Sequence, residues 1–135
     1  MNPGAVMAKR VLIVDDDPVL REIAIMLLAD AGHDCAVAEN GLQGLTVLEG
    51  RPADLVLLDM MMPVMDGVET LGQIKARWPG LPVVVMTAGA RTMSMQALLR
   101  LAANLGADEV LQKPLRGETL LPLVARLLGL RSEVA

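Results

Sequence analysis

The 135 residues carry 12 Lys plus Arg against 16 Asp plus Glu, a formal net charge of −4, with one Cys, one Trp and neither Tyr nor Phe. That length suits a single domain, which at this size buries roughly 70% of its unfolded surface. An acidic chain without a basic run argues against direct nucleic-acid binding, the lack of aromatic platforms against base stacking, and a lone cysteine against an internal disulfide.

Taken in order, residues 1–8 are small and apolar with Pro3 and Gly4, so a flexible N-terminal tail is expected there, with Met7 as an alternative start. The apolar run "VLIV" after Lys9 and Arg10 ends at Asp15, far short of a signal core or a membrane span, so a soluble cytoplasmic protein without a membrane partner is expected. It predicts a strand over 10–14. A helix over 18–31 follows, with Asp17 as its cap, Pro18 at its first position and Gly32 to end it. His33, in the next turn, reads as a surface residue, and Cys35 as a buried hydrophobe at the start of a strand over 35–38. A helix over 41–50 leads to a strand over 54–58, and Asp66 before Gly67 caps a helix over 66–76, with Trp78 as a cover over its foot. The remaining elements are a strand over 82–86, a helix over 91–105, a strand over 108–111 and a helix over 117–129 that contains Pro122. Short apolar runs alternating with amphipathic segments predict βα units around a parallel sheet, one domain over 9–130 with no output domain.

Chemistry concentrates at the C-terminal ends of the predicted strands, where open α/β sheets place their ligands. Asp15, Asp16 and Asp17 follow the first strand, Asp59 the third in "LVLLDMMMP", Thr87 the fourth in "VVVMTAG" and Lys113 the fifth in "VLQKP". Asp17 is most simply a cap. A carboxylate cluster repels itself unless a cation is present, and oxygen-only donors suit Mg²⁺. Lys113 is then expected to pair with Asp59 or with a phosphoryl oxygen. Met60, Met61 and Met62 read either as packing or as an adaptable docking surface.

In this order, "VLIVDDDP", "LVLLDMMMPVMDG", "VVVMTA" and "GADEVLQKP" resemble the receiver domains of bacterial two-component response regulators, over about residues 9–129. The resemblance implies a flavodoxin-like (βα)5 three-layer sandwich with parallel strand order 2-1-3-4-5. It implies that Asp59 is the phosphorylated carboxylate, that Asp15 and Asp16 hold Mg²⁺ with Asp16 the more direct ligand, and that the backbone carbonyl of Met61 is a further ligand. It also implies that the Thr87 hydroxyl and Lys113 contact the phosphoryl group, and that Pro114 follows a cis peptide bond. The donor would be a histidine kinase or a histidine phosphotransfer protein. The product would be a phosphorylated signalling domain that catalyses its own phosphorylation and dephosphorylation and acts on an unnamed protein target.

Two departures stand beside the resemblance. The stretch from Thr87 to Lys113 is longer than is usual in the family by roughly one helical turn, and Val110 stands where the family commonly has an aromatic residue. The switching surface is expected on the fourth helix, fifth strand and fifth helix, with the loop "AGARTMSM" as its moving part. Leu121 and Leu130 extend the apolar surface there beyond one stripe, an excess fit for a partner or a homodimer. Met61 is expected to shield the phosphorylated Asp59, with space left by Gly89. Two alternatives are a phosphorylation-independent adaptor of the same fold and a Mg²⁺-dependent hydrolase with an Asp nucleophile. The second is weakened because Met61, not an acid, stands two residues after Asp59.

Overall fold

The computed structural model describes residues 9–62, 64–88 and 94–129. The expectations for residues 1–8, for Gly89 and the loop around it, and for Leu130 lie outside them. Five strands, β1 (Arg10–Val14), β2 (Asp34–Ala38), β3 (Leu55–Asp59), β4 (Val83–Thr87) and β5 (Glu109–Gln112), form one parallel sheet in the order β2-β1-β3-β4-β5. Between and after them run α1 (Pro18–Asp30), α2 (Gly41–Gly50), α3 (Gly67–Arg77), α4 (Met95–Asn104) and α5 (Gly117–Leu127). This is the expected flavodoxin-like order.

The strands read as continuous apolar runs because both faces are covered. Alternate side chains divide between two cores. Val11 and Ile13 of β1 join Leu20, Ala24 and Leu28 of α1 and Leu120 and Val124 of α5 on one face. Leu12 and Val14 join Leu45 and Leu48 of α2 and Leu71 and Ile74 of α3 on the other. Central β3 and β4 are buried along their whole length, whereas edge strands β2 and β5 are only partly covered.

Local chemistry sets the ends of the helices. The Asp17 side chain accepts the Val19 N–H at 2.9 Å with Pro18 in the first turn, and the Asp66 side chain accepts the Glu69 N–H at 2.8 Å. Gly32 leaves α1 at φ +87, a left-handed conformation that side chains resist. Helix α4 starts later than expected, because Ser94 is extended and caps it through the Ala97 N–H. Pro122 stands inside α5 as read.

Two surface readings are corrected. His33 is only 8% exposed, and its N–H closes the end of α1 on the Leu28 carbonyl at 3.0 Å. Burial pulls its pKa down. Leu121 is half-buried against the core that α1 and α5 share, so it does not form an apolar excess. Cys35 is half-buried as well, and burial, aided by Asp34, pushes its thiol pKa up. Trp78 ends α3 through its N–H to the Ile74 carbonyl, with the Arg77 guanidinium 4.5 Å from its ring centroid.

At the opposite edge from the acidic residues, Lys75 Nζ donates to the Leu81 carbonyl and to Asp108 Oδ2, both at 2.8 Å, and that same oxygen accepts the Val83 N–H. One ammonium thereby ties α3 to the starts of β4 and β5. Lys75→Met keeps the stem and removes these bonds, so it should lower unfolding free energy by about 2 kcal/mol in urea titration. An unchanged midpoint would show that water replaces both contacts.

Candidate functional site

Parallel pairing brings the ends of β1, β3, β4 and β5 to one edge. Val14 is in register with Leu58 of β3, Asp59 with Met86 of β4, and Thr87 with Gln112 of β5. Asp15 thus lies one residue past β1, Asp59 and Thr87 are the last residues of their strands, and Lys113 lies one residue past β5. The Lys113 N–H donates to the Thr87 carbonyl at 2.7 Å, which locks these two residues side by side. The Lys113–Pro114 peptide is cis, as the resemblance implied.

Asp15, Asp59 and Thr87 are buried, whereas Asp16 is exposed. One carboxylate oxygen from each of Asp15, Asp16 and Asp59 lies within 4.8 Å of the others, a donor set that fits a hard divalent cation. Lys113 Nζ is 2.8 Å from Asp15 Oδ2 and 3.4 Å from Asp59 Oδ1. The expected Lys113–Asp59 pair therefore exists, yet the closer partner is Asp15. The Asp15 Oδ1 also accepts the Asp17 N–H at 2.9 Å, so both oxygens of this carboxylate are engaged.

These contacts shape the electrostatics. Burial, and then the Asp15 carboxylate beside it, push the Asp59 pKa up to about 6 against the pull of Lys113 and the Met61 N–H. Burial acts to lower the Lys113 pKa, but Asp15 and Asp59 outweigh it and hold the ammonium above the ordinary lysine value. At neutral pH the edge therefore presents a carboxylate and a held ammonium together, with an exposed acid at its rim.

The loop from β3 to α3 closes on the site. The Met61 N–H donates to Asp59 Oδ1 at 3.3 Å, and the Gly67 N–H returns to the Met60 carbonyl at 3.2 Å. Val64 sits at φ 72, a strained conformation for a β-branched residue. Of the methionines, Met60 is buried and Met62 and Met65 pack on the core of α2 and α3, so they are packing. Met61 is 80% exposed, too open to cover Asp59 in the way expected of it.

Sequence reasoning singled out Asp15, Asp16, Asp59, Thr87 and Lys113, and the fold brings all five to one edge. It missed two residues. Gly67 was read only as part of a cap, though the "DG" pair after the methionines marks a tight approach. Arg21, one turn into α1, donates from Nη1 to the Asp15 carbonyl at 2.8 Å, and nothing in its spacing announced that contact.

The response regulator receiver domain profile matches residues 11–125. The DNA-binding response regulator MtrA of Mycolicibacterium smegmatis is 39% identical over 118 residues, 87% of this chain and 50% of that protein. The response regulator protein FleR of Pseudomonas aeruginosa is 40% identical over 121 residues, 89% of this chain and 24% of that protein. The chain thus spans half or less of the length of these curated relatives. Among solved structures, a CheY-like receiver domain protein from Methanospirillum hungatei superposes with a TM-score of 0.82 at 29% identity, covering 91% of this chain and 95% of that one. The chemotaxis protein CheY4 of Vibrio cholerae gives 0.81 at 28% identity, covering 90% and 99%.

Proposed function

This chain belongs to the response regulator receiver domain family, and on that premise we propose that it accepts a phosphoryl group on Asp59 from a phosphohistidine-bearing kinase or phosphotransfer protein, with Mg²⁺ held by Asp15, Asp16 and Asp59. One observation carries this reading: a buried carboxylate at a strand end, within reach of two further acids and 3.4 Å from a held ammonium.

Phosphoryl transfer proceeds through a loose transition state that asks for positioning and charge neutralisation more than for covalent help. An Asp59 carboxylate oxygen bonds to phosphorus in line as the phosphorus–nitrogen bond to the donor imidazole breaks, and the bonding pair leaves with that nitrogen. Lys113 neutralises one phosphoryl oxygen as it moves its contact from Asp15 towards Asp59, and the Thr87 hydroxyl donates to another. Bound Mg²⁺ supplies the positive charge that the remaining oxygens require. The backbone carbonyl of Met61 would join Asp15, Asp16 and Asp59 in holding the ion. Water later cleaves the phosphorus–oxygen bond, which restores Asp59 and releases phosphate.

The outer face of α1 exposes Val19, Ile23 and Met26 at helical spacing. The first two, with Ala88, Lys113, Pro114 and Leu115, line a cleft of about 360 Å³. Because Lys113 forms one wall, an apolar helix lying in this cleft would hold a phosphohistidine next to Asp59, which supports a protein donor.

Incubation with Mg²⁺ and a small acyl or amido phosphate, followed by mass mapping, should find a phosphoryl group on Asp59 alone. No incorporation would favour the phosphorylation-independent adaptor, and steady phosphate release from unrelated phosphomonoesters would favour the hydrolase. Lys113→Ala is expected to slow incorporation about a hundredfold, the usual effect of removing one preorganised cation from a transition state. Stopped-flow labelling at wild-type rate would take Lys113 out of the mechanism.

A further inference from the structure

We propose that Arg21 is a positioning residue for the acidic pocket: its guanidinium, fixed to the Asp15 carbonyl, holds the Asp15–Asp16 peptide so that the exposed Asp16 carboxylate points where Mg²⁺ needs it. This deepens, and rests on, the reading of that pocket as a Mg²⁺ site.

The argument follows the contacts of Asp15. Its N–H donates to the Ala38 carbonyl at 3.1 Å, its Oδ1 accepts the Asp17 N–H at 2.9 Å, and its Oδ2 lies 2.8 Å from Lys113 Nζ. The remaining polar group, the carbonyl, accepts from Arg21 Nη1 at 2.8 Å in a half-buried setting. That carbonyl belongs to the peptide bond that leads into Asp16. Rotation of this peptide plane would swing the Asp16 side chain, which has no protein hydrogen bond or ion pair of its own among the described residues. Asp15 is therefore hydrogen-bonded at its N–H, carbonyl and Oδ1 and ion-paired at Oδ2, and Asp16 takes its direction from the peptide that Arg21 holds. A guanidinium suits this task, since its planar fork loses less freedom per bond than an ammonium does. Arg21 also lies one turn from Asp17, whose carbonyl accepts its N–H at 3.1 Å, so the first turn of α1 and the end of β1 move as one piece.

The sign of the effect separates positioning from simple charge. Loss of a cation near a metal site should, by Coulomb's law alone, tighten Mg²⁺ binding. Loss of an orienting partner behind a ligand weakens it, commonly by tenfold or more. Arg21→Met keeps the stem and removes the donors, and calorimetric titration with Mg²⁺ alone is expected to show affinity lower by about tenfold. Asp16→Ala is expected to lose more, and Arg21→Met added to Asp16→Ala is expected to change nothing further, because the ligand that Arg21 directs is gone. Thermal unfolding without Mg²⁺ checks that each variant folds. If Arg21→Met does not fold, Arg21→Lys takes its place, with charge constant and only the fork lost.

Unchanged or tighter binding in the Arg21 variant, or a tenfold loss that persists in the Asp16→Ala background, would overturn the positioning role. Should Asp16→Ala itself bind Mg²⁺ like the unaltered protein, the metal reading of the pocket would fail instead.

Discussion

Asp59→Asn should take up no phosphoryl group from a small phosphodonor or from a phosphohistidine protein, while the folded domain becomes more stable at neutral pH. The first effect is chemical: an amide oxygen is a poor nucleophile, and the other buried carboxylate at this edge, Asp15, has its Oδ1 taken by the Asp17 N–H and its Oδ2 by Lys113. The second follows from linkage. The folded chain binds the Asp59 proton with a pKa raised to about 6 from 3.8, chiefly through burial and then through Asp15. Between those two values the folded state holds more protons than the unfolded chain, so stability falls as pH rises through this window. Asparagine carries no charge at any pH and escapes that loss. Without divalent ions, Asp59→Asn is therefore expected to exceed the unaltered protein by on the order of 2 kcal/mol at pH 7, and the gap should close as pH falls from 6 to 4. Urea titrations across that range would show it. Labelling that persists at another residue, or a gap that grows in acid, would remove Asp59 from its role.

Gly67→Ala should damage both stability and phosphorylation although residue 67 touches no reacting atom. A Cβ there would stand 2.5 Å from the Asp59 carbonyl oxygen and closer still to the Met60 Cα, and neither backbone atom can yield as a flexible side chain could. The loop that carries Met61 would be pushed off β3, and with it the peptide on which the Asp59 side chain is mounted. A cost of about 3 kcal/mol is expected from such overpacking. Phosphorylation should slow by about a hundredfold, since misplacement by an ångström is enough for that. Since Val64 already strains the same loop at φ 72, it has little freedom to absorb the change. Normal labelling kinetics in a variant with lowered stability would show that the loop rearranges without moving Asp59.

Between sequence and structure, the readings divide by range. The five strands, five helices and their succession along the chain were legible because each rests on local signals, apolar runs of four or five residues, Asp17 and Asp66 as caps, Gly32 as a stop, whereas the sheet order came from the family resemblance. Boundaries slipped where these signals thinned, most at α4, where Ser94 proved to be the cap. His33 was read as exposed because a histidine in a turn gives no local sign of what folds over it. Leu121 was counted as excess because helical periodicity cannot tell that a neighbouring helix covers a flank. Met61 was expected to shield Asp59, but the direction of a loop side chain depends on the closure between Met60 and Gly67, which is not a local property.

For the site itself, the residue types and their places at strand ends were determined by the sequence, because a parallel sheet of this order necessarily brings its C-terminal ends together. The family resemblance of four spaced motifs then assigned their roles. Only the tertiary structure decided who holds whom: that Lys113 sits nearer Asp15 than Asp59, that burial sets the acidity of Asp59, and that Arg21 grips the carbonyl between the two acids. Spacing along a chain carries topology, whereas distances of 2.8 and 3.4 Å arise from side-chain packing across elements far apart in sequence.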